Sequence, residues 1–335
     1  MSPPLSLGKI PHATLQMLLS RLPKDRDVLI PPFVGSDAAG VKFSRKYYAV
    51  TTDPITFATE HIARYCVSVN INDIACMGAR ARFFTSTILL PKGTTEMALD
   101  QLWTELLCEL NRYNIQAIAG HTEVTEAVNQ PVLVGQMIGE RVTRHFYNVR
   151  RIQAGDQLLL WRPIAIEGTS VLAVQRYDAL ARHILPEQLD TMKHLLDDPG
   201  VCILPGAEKL FPERGVVALH DPTEGGLASA LHEMADASGC GLKINGDAIP
   251  ILSETQQLAK ILKFDPLGLI ASGCLLIACK KKRVEKVLNR LQGSVVSLIG
   301  EFTDDNDRII TTSRMKKSLP RFDQDEIIKA MQAKL

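Results

Sequence analysis

The sequence has no cysteine pair, no long apolar run and no excess of charge of either sign. Its seven cysteines are scattered and none forms a C-x-x-C pair, which favours reduced, buried thiols over a disulfide framework or a zinc site. Lysine and arginine number 38 against 37 acidic residues, so no general field draws the chain to nucleic acid or to an anionic membrane. Any anion that the protein binds must therefore be held locally.

Membrane and targeting signals are missing as well. The N-terminal stretch "MSPPLSLGKIPHATL" lacks the basic region and apolar core of a secretory signal. The most apolar stretch, residues 268–279, has 12 residues. A membrane-spanning helix needs about 20. These features predict a cytoplasmic protein that binds neither membrane nor nucleic acid.

Neither of the two common glycine-rich nucleotide signatures is present. The sequence contains no G-x-x-x-x-G-K-[ST] motif and no G-x-G-x-x-G after a strand, so a bound nucleotide must be held by other means. What the chain does have is length and apolar content. Its 335 residues, 46% of them hydrophobic, are ample for two domains with a core each.

Strand-like and helix-like segments alternate along both halves, which predicts an α/β (α+β) fold. Helical periodicity covers residues 60–77 and 95–113, between apolar runs that read as strands. A basic connector at 141–151 then leads to "AGDQLLLWRP", where a Gly-Asp turn opens a new strand. We therefore predict one domain over residues 1–147 and a second over 148–335.

The stretch "HDPTEGG" (220–226) lies where a strand passes into a helix. Asp221 suits the N-cap position, and Glu224 three residues later completes a capping box. This cap does not explain Gly225 and Gly226, because each glycine in a first helical turn costs about 1 kcal/mol relative to alanine. Glycines are tolerated where a group approaches the backbone closely, and N–H groups at a helix start favour an anion. We predict a phosphate there.

Four carboxylates of the first half end an apolar run or lie in a glycine turn: Asp37, Asp53, Asp73 and Glu123. For any one of them alone, a turn or a cap is a sufficient explanation. Asp73 differs, because it falls in the apolar stripe of the helix at 60–77, where a carboxylate is costly unless it is paired or bound to a metal. Carboxylates without matching histidines or cysteines suit Mg²⁺ that bridges to substrate phosphates.

Nine motifs follow one another along nearly the whole chain: "GKIPHATLQMLL", "GSDAA", "TTD", "NINDIACMGA", "GHTE", "GDQLLL", "IEGTSVLA", "HDPTEGGLASALHEMA" and "ASGCLLIA". In this order they resemble the aminoimidazole ribonucleotide synthase superfamily. The closest resemblance within it is to hydrogenase-maturation protein E and to the synthase-related proteins around it.

The resemblance implies a two-domain α/β fold, with an N-terminal mixed-sheet domain that dimerises and a C-terminal α/β sandwich domain. It also implies ATP and Mg²⁺ as cofactors and phosphorylation of a carbonyl or amide oxygen. The residues that it assigns are Asp37, Asp53 and Asp73 to the metal, and Asn72, Gly120, His121, Thr122, Glu123 and Lys9 to the nucleotide site. From the residues themselves we add His220, with Lys9, as catalytic candidates, and Asp221, Thr223, Gly225 and Gly226 as residues beside the cofactor or its phosphates.

Two departures from that family bear on the substrate. Hydrogenase-maturation protein E ends in Pro-Arg-Ile-Cys, whereas this sequence ends "KAMQAKL", and Glu123 stands where several relatives have aspartate. The leading hypothesis is an ATP- and Mg²⁺-dependent dehydratase, ligase or kinase that acts on a small or protein-borne carbonyl substrate, with a maturation partner protein. The alternatives are a non-catalytic ATP-binding accessory or regulatory protein, and a small-molecule kinase like thiamine monophosphate kinase.

Overall fold

The structure is a computed structural model that describes residues 11–56, 58 and 60–335. The α-helices of these residues are α1 (His12–Leu19), α2 (Ile62–Cys76), α3 (Glu96–Arg112), α4 (Ile166–Gln175), α5 (Tyr177–Leu180), α6 (Pro186–Lys193), α7 (Leu204–Leu210), α8 (Gly226–Ser238), α9 (Ser253–Leu262), α10 (Val284–Arg290) and α11 (Glu326–Gln332). Their strands are β1 (Val28–Ile30), β2 (Ala39–Phe43), β3 (Lys46–Ile55), β4 (Ala79–Pro91), β5 (Gln116–Thr125), β6 (Val132–Arg141), β7 (Gln157–Trp161), β8 (Val216–His220), β9 (Gly241–Asn245), β10 (Leu275–Cys279), β11 (Val296–Thr303), β12 (Arg308–Thr311) and β13 (Lys316–Ser318).

The chain divides into two compact units. The first, here the N-terminal sheet unit, consists of Asp25–Pro31 and Asp37–Phe146. The second, the C-terminal sheet unit, contains Tyr147–Leu335 together with residues 11–24 and Pro32–Ser36. Two short N-terminal segments thus cluster with the later part of the chain. No helix among the described residues is long and apolar enough to cross a membrane.

The N-terminal sheet unit is a six-stranded mixed sheet in the order β1-β2-β3-β6-β4-β5. The pair β4–β5 is parallel and the other pairs are antiparallel. Helix α2 packs against β3, β6, β4 and α3, and every residue of it except Arg64 is buried. Since α2 is covered on nearly all sides, the apolar stripe inferred from its sequence is only part of its buried surface.

Glycines in β6 allow α2 to approach the sheet closely. A Cβ atom on Gly135 would lie 2.6 Å from Nδ2 of Asn70 and 2.7 Å from Sγ of Cys66. These distances are far below van der Waals contact, so a side chain at this position would push the helix away from the sheet. Gly135 therefore sets the spacing at which polar groups of α2 meet β3 and β6.

The C-terminal sheet unit holds a seven-stranded sheet in the order β13-β12-β9-β11-β7-β10-β8. Strands β7 and β10 are buried along their full length, as their unbroken apolar runs predict. Helix α8 follows β8 through the "HDPTEGG" loop and ends at Gly239, a left-handed C-cap. This strand, loop and helix arrangement confirms the local prediction from the sequence.

The predicted helix start at Asp221, however, is wrong. Helix α8 begins at Gly226, and Gly225 is its N-cap, with φ of 83° and no side-chain cap. Gly226 also has a positive φ, and a Cβ there would lie 2.6 Å from the carbonyl oxygen of Leu267. Both glycines are needed for a left-handed backbone, and the group that approaches Gly226 closely is the protein's own backbone.

We expect Gly135→Ala to destabilise the protein by about 2 to 3 kcal/mol, because the added methyl overpacks the contact between β6 and α2. Urea unfolding measures this loss. Gly93→Ala is the control, since no atom lies within 4 Å of its Cβ position. Its positive φ alone should cost about 1 kcal/mol. A loss at Gly135 no larger than that at Gly93 would contradict this packing argument.

Candidate functional site

Thr51 contacts two of the three predicted metal residues, Asp37 and Asp73, in the N-terminal sheet unit. Together with Asp53, these two aspartates are called the carboxylate cluster here. The hydroxyl of Thr51 contacts Oδ2 of Asp73 on α2 and lies 3.2 Å from the backbone oxygen of Asp37. A carboxylate oxygen of Asp37 lies within 4.8 Å of Sγ of Cys76, one turn beyond Asp73 on the same helix. The structure therefore brings Asp37 and Asp73, which are distant in sequence, to the C-terminal end of α2.

Asp53 lies on the same face of β3 as Thr51, because alternate residues of a strand share a face. Burial raises the pKa of the Cys66 thiol well above the usual range, and the negative charge of nearby Asp53 adds to this shift. Asn70, between Cys66 and Asp73 on α2, is fully buried and donates to the backbone oxygen of Cys66 at 2.9 Å. The third predicted metal residue thus also faces α2.

These residues fit a hard cation. Oδ1 of Asn70 is buried and, among the residues that the structure describes, it has no hydrogen-bond partner. A buried amide oxygen without a donor is costly unless something else binds it. The carboxylates of Asp37, Asp53 and Asp73 are, like this amide oxygen, donors of the kind that Mg²⁺ prefers. Among the described residues, the group of potential metal ligands that contains Asp37 includes Cys76 but neither Asp53 nor Asp73. Metal binding by these three aspartates remains a prediction.

The "GHTE" segment lies on β5, the edge strand, and its residues are exposed. By register, Thr122 lies beside the buried Ile88, whereas His121 and Glu123 lie beside Thr87 and Leu89. His121 and Glu123 therefore face the side of the sheet opposite α2, where their side chains pair at 3.2 Å. Within one unit the structure does not bring them to the carboxylate cluster.

Three other residues, Asn72, Gly120 and Lys9, are predicted to contact the nucleotide. Asn72 is fully buried in α2. Gly120 lies on β5 beside Ser86, at the start of the exposed segment. Lys9 lies outside the described residues. Nucleotide contacts by these three residues remain predictions.

In the C-terminal sheet unit, His220 ends β8 and is buried against α8. Its Nε2 lies 3.0 Å from Oε2 of Glu233, and the other carboxylate oxygen lies 3.3 Å from Nε2 of His12 on α1. A carboxylate accepts, so Nε2–H of His220 donates, which fixes the ring tautomer. Asp221 is buried beside it, and Thr223 is half-buried in the following loop.

Behind this loop lie two buried carboxyl groups that the sequence analysis did not identify. Burial raises the pKa of Glu167 to about 7; the side chain and backbone of Ser272 oppose the shift, and nearby Asp325 adds to it. Burial likewise raises the pKa of Asp325 to about 6, against hydrogen bonds from Ile327, Gly225 and Ile270. The N–H of Gly225, predicted to bind phosphate, donates to this aspartate at 2.6 Å.

Some of the residues that the sequence analysis missed could have been predicted from their positions, and others could not. Glu233 interrupts the apolar face of α8 between Ala230 and Met234, so a buried acid there was detectable. Thr51 precedes Asp53 by two residues in a strand, which also places them on one face. Glu167 and Asp325 carry only the ordinary signals of a first helical turn and an N-cap.

The fold defines a two-unit α/β protein, with predicted metal residues on α2 and β3 and a glycine loop between β8 and α8. Two family models match this chain. The N-terminal domain of AIR synthase related protein matches residues 35–141, and the C-terminal domain of AIR synthase related protein matches residues 153–312. The chain belongs to the AIR synthase related proteins.

Two curated relatives illustrate the similarity. A hydrogenase expression/formation protein of Methanocaldococcus jannaschii is 28% identical over 285 residues, which cover 82% of this chain and 81% of that protein. Carbamoyl dehydratase HypE of Escherichia coli strain K12 is 27% identical over 268 residues, 78% of this chain and 76% of its own length. The chain is thus similar to HypE over most of both sequences.

Solved structures share the fold. Hydrogenase maturation protein HypE in complex with ATP has a TM-score of 0.74 at 21% identity and covers 89% of this chain and 92% of its own. The HypE–HypF complex gives a TM-score of 0.72 at 19% identity, with 86% and 94% coverage. Thiamine monophosphate kinase from Aquifex aeolicus gives 0.65 at 14% identity, with 84% and 92% coverage. The predicted two-domain AIR-synthase-like fold is confirmed.

We expect Glu167→Gln to stabilise the protein at pH 8 and to have little effect at pH 4. The folded pKa of Glu167, about 7, lies above its unfolded value near 4.5, so stability falls as pH rises through this window. Glutamine cannot ionise and avoids that loss, which is on the order of 3 kcal/mol. Urea unfolding at both pH values measures the difference.

Glu285, an exposed acid in the first turn of α10, provides the matched control for that experiment. At each of the two pH values, Glu285→Gln should have the same unfolding free energy as the wild-type protein. An equal effect of Glu167→Gln at pH 4 and pH 8 would show that this carboxyl is not the one that titrates abnormally.

Proposed function

We propose that this protein is an ATP- and Mg²⁺-dependent enzyme that phosphorylates a carboxamide oxygen, in a reaction of the carbamoyl dehydratase type. The observation that carries the proposal is the buried Asp73, whose carboxylate is contacted by Thr51, which also lies against the backbone oxygen of Asp37. The unpartnered buried oxygen of Asn70, one turn earlier on α2, supports it. The curated relatives named carbamoyl dehydratase HypE support the reaction, and the HypE structure in complex with ATP supports the nucleotide.

We assign Mg²⁺ to Asp37, Asp53 and Asp73. When bound, the ion would neutralise charge on the ATP phosphates, which is what phosphoryl transfer needs most from a protein. Thr51 contacts the carboxylate of Asp73, and Gly135 lets β6 lie close to α2 at Asn70 and Cys66. Asn72, the "GHTE" residues of β5 and Lys9 are proposed to contact the nucleotide.

The proposed reaction conserves atoms in two steps. The carboxamide oxygen forms a bond to the γ-phosphorus of ATP while the bond from that phosphorus to the β–γ bridging oxygen breaks, releasing ADP. The carbon–oxygen bond then breaks, so the amide oxygen leaves in inorganic phosphate and the carbon–nitrogen bond becomes a nitrile. The two amide protons must be accepted, and His220, oriented by Glu233, is the proposed acceptor for one of them.

The buried thiols of this chain do not suit the role of substrate carrier. Burial raises the pKa of Cys66 and of Cys274 well above the usual range, and raises that of Cys279 to about 12. A thiol in this state is a weak nucleophile at neutral pH. We propose that the carboxamide is carried by a small molecule or by a partner protein rather than by these buried thiols, in line with the existence of a HypE–HypF complex. Cys108 on α3 is exposed and stands outside this argument.

We also propose that two copies associate through the N-terminal sheet units. Strand β5 is a ten-residue edge whose residues are exposed or half-buried, and Ile118 and Val124 are 54% and 59% exposed. An exposed, partly apolar edge strand is a ready pairing surface.

Ile118→Lys should shift the protein from dimer to monomer in sedimentation, because it places a charge in this edge strand. Met97→Lys, on the exposed side of α3, should not. A wild-type monomer would contradict the proposal.

A small-molecule kinase is the second candidate, because thiamine monophosphate kinase shares the fold over most of both chains. The two reactions differ in their products. A dehydratase releases ADP and inorganic phosphate, whereas a kinase releases ADP and leaves the phosphoryl group on the substrate. Phosphorus NMR of the products distinguishes them.

We expect Asp53→Asn and Asp73→Asn each to lower ATP turnover at saturating Mg²⁺ by about 100-fold or more, because each removes a carboxylate proposed to hold the Mg²⁺ that compensates the charge of the phosphates. ADP formation is measured with an S-carbamoyl cysteine peptide as substrate. Asp100→Asn, an exposed acid on α3, is the matched control. Normal turnover in both variants would refute the assignment.

Tight ATP binding by wild-type protein with no ADP formed from any carbamoyl, formamidine or thiamine phosphate substrate would favour an accessory role instead.

A further inference from the structure

Asp325 is a buried carboxylate that joins three separate stretches of the C-terminal sheet unit. Its Oδ2 accepts the N–H of Gly225 at 2.6 Å. Its Oδ1 accepts the N–H of Ile270 at 3.1 Å and that of Ile327 at 2.8 Å. Hydrogen bonds to a carboxylate are stronger than those between neutral groups, so this side chain is a substantial restraint on all three stretches.

The ordinary explanation accounts for only one of these bonds. Asp325 is the N-cap of α11, and the bond from Ile327 is a normal N-cap contact. The other two donors are 100 and 55 residues away in sequence, at Gly225 and Ile270. A cap for a seven-residue helix does not require either of them.

The two distant donors belong to loops that are themselves joined. The N–H of Ala271 donates to the backbone oxygen of Thr223 at 3.3 Å, so the loop after α9 is bonded to the "HDPTEGG" loop. The backbone oxygen of Ile270 accepts the N–H of Gly168 at 3.2 Å, which adds the start of α4. Asp325 lies where these loops meet, and it replaces solvent as the acceptor for their N–H groups.

We infer that Asp325 is a positioning residue that holds the Thr223–Gly226 loop in its working arrangement. It also fills the anion position at the start of α8 from within the chain, so the N–H of Gly225 does not bind a substrate phosphate. The inference rests on the proposed function in one respect, namely that this loop is part of the active site. Asp325 touches neither substrate nor nucleotide in this account; it acts through the loop.

Two other carboxyl groups face Asp325: Glu167 from α4, and Glu224 from the loop itself. Both are acidic, so the ionised form of Asp325 depends on the three N–H donors rather than on a basic side chain. With a pKa of about 6, Asp325 is ionised at pH 8, and the experiment is best done there.

Asp325→Asn separates the cap from the positioning role. Asparagine is as good an N-cap as aspartate, so α11 keeps its cap. The amide can no longer supply two acceptor oxygens, and its NH₂ group faces one of the distant donors. Hydrogen exchange at pH 8, read at individual amides by NMR, should therefore become at least about tenfold faster at Gly225 or Ile270.

Asp156→Asn is the matched control, since Asp156 is equally buried and accepts the N–H of Gln153 at 3.0 Å, far from the loop in sequence. It should leave the exchange of Gly225 and Ile270 unchanged. In turnover assays Asp325→Asn should lower kcat by about tenfold or more, with KM for MgATP within twofold, because the nucleotide is assigned to the other unit. Asp156→Asn should leave both constants near the wild-type values.

Exchange at Gly225 and Ile270 in Asp325→Asn equal to that of wild type would overturn the inference, as would an unchanged kcat in an otherwise active protein. If Asp325→Asn does not fold, amide exchange in the wild-type protein tests the inference instead. Its Gly225 amide should exchange at least about tenfold more slowly than that of Glu96, the first residue of α3, and equal rates would overturn the inference. Absence of ATP turnover in wild type would refute the proposed function only, because the exchange measurements need no ligand.

Discussion

The fold of the N-terminal sheet unit depends on burying a helix that carries polar side chains. Asn70, Asn72 and Asp73 lie within about one turn of α2, and all are buried. Placing a carboxylate in such a position is unfavourable unless hydrogen bonds or a cation compensate it. Thr51 supplies one of these contacts from β3, and Gly135 lets β6 approach the same helix at Asn70 and Cys66. Function and packing are therefore linked through one helix.

In the C-terminal sheet unit, contacts with distant segments fix the loop that contains Gly225 and Gly226. Gly225 and Gly226 both adopt a left-handed backbone, which few other residues tolerate. The resulting freedom is removed by contacts with segments distant in sequence, Leu267–Leu269 and Asp325. The buried His220–Glu233 pair fixes the strand end in front of the same loop. The rigid surroundings make a short glycine loop suitable for positioning reactive groups.

Much of the fold was predictable because its periodicity is strong. The helix predicted at 60–77 is α2, and that at 95–113 is α3. Five strands were not predicted: β1, β2, β11, β12 and β13. For β1, β12 and β13, three or four residues contain too little periodicity to recognise. The start of α8 was placed at Asp221 because the local capping pattern was followed. Tertiary contacts of Gly225 and Gly226 override that pattern.

The sequence by itself determined the residue types of the site, since a carboxylate and two amides in an apolar helix indicate chemistry wherever the helix packs. It also determined the family, through motifs that are local in sequence. Only the tertiary structure decided which groups meet. Thr51 and Asp73 are 22 residues apart, and Gly225 and Asp325 are 100 apart. A hydrogen bond depends on distances of about 3 Å, whereas sequence patterns constrain faces and periods but not the partner across the fold.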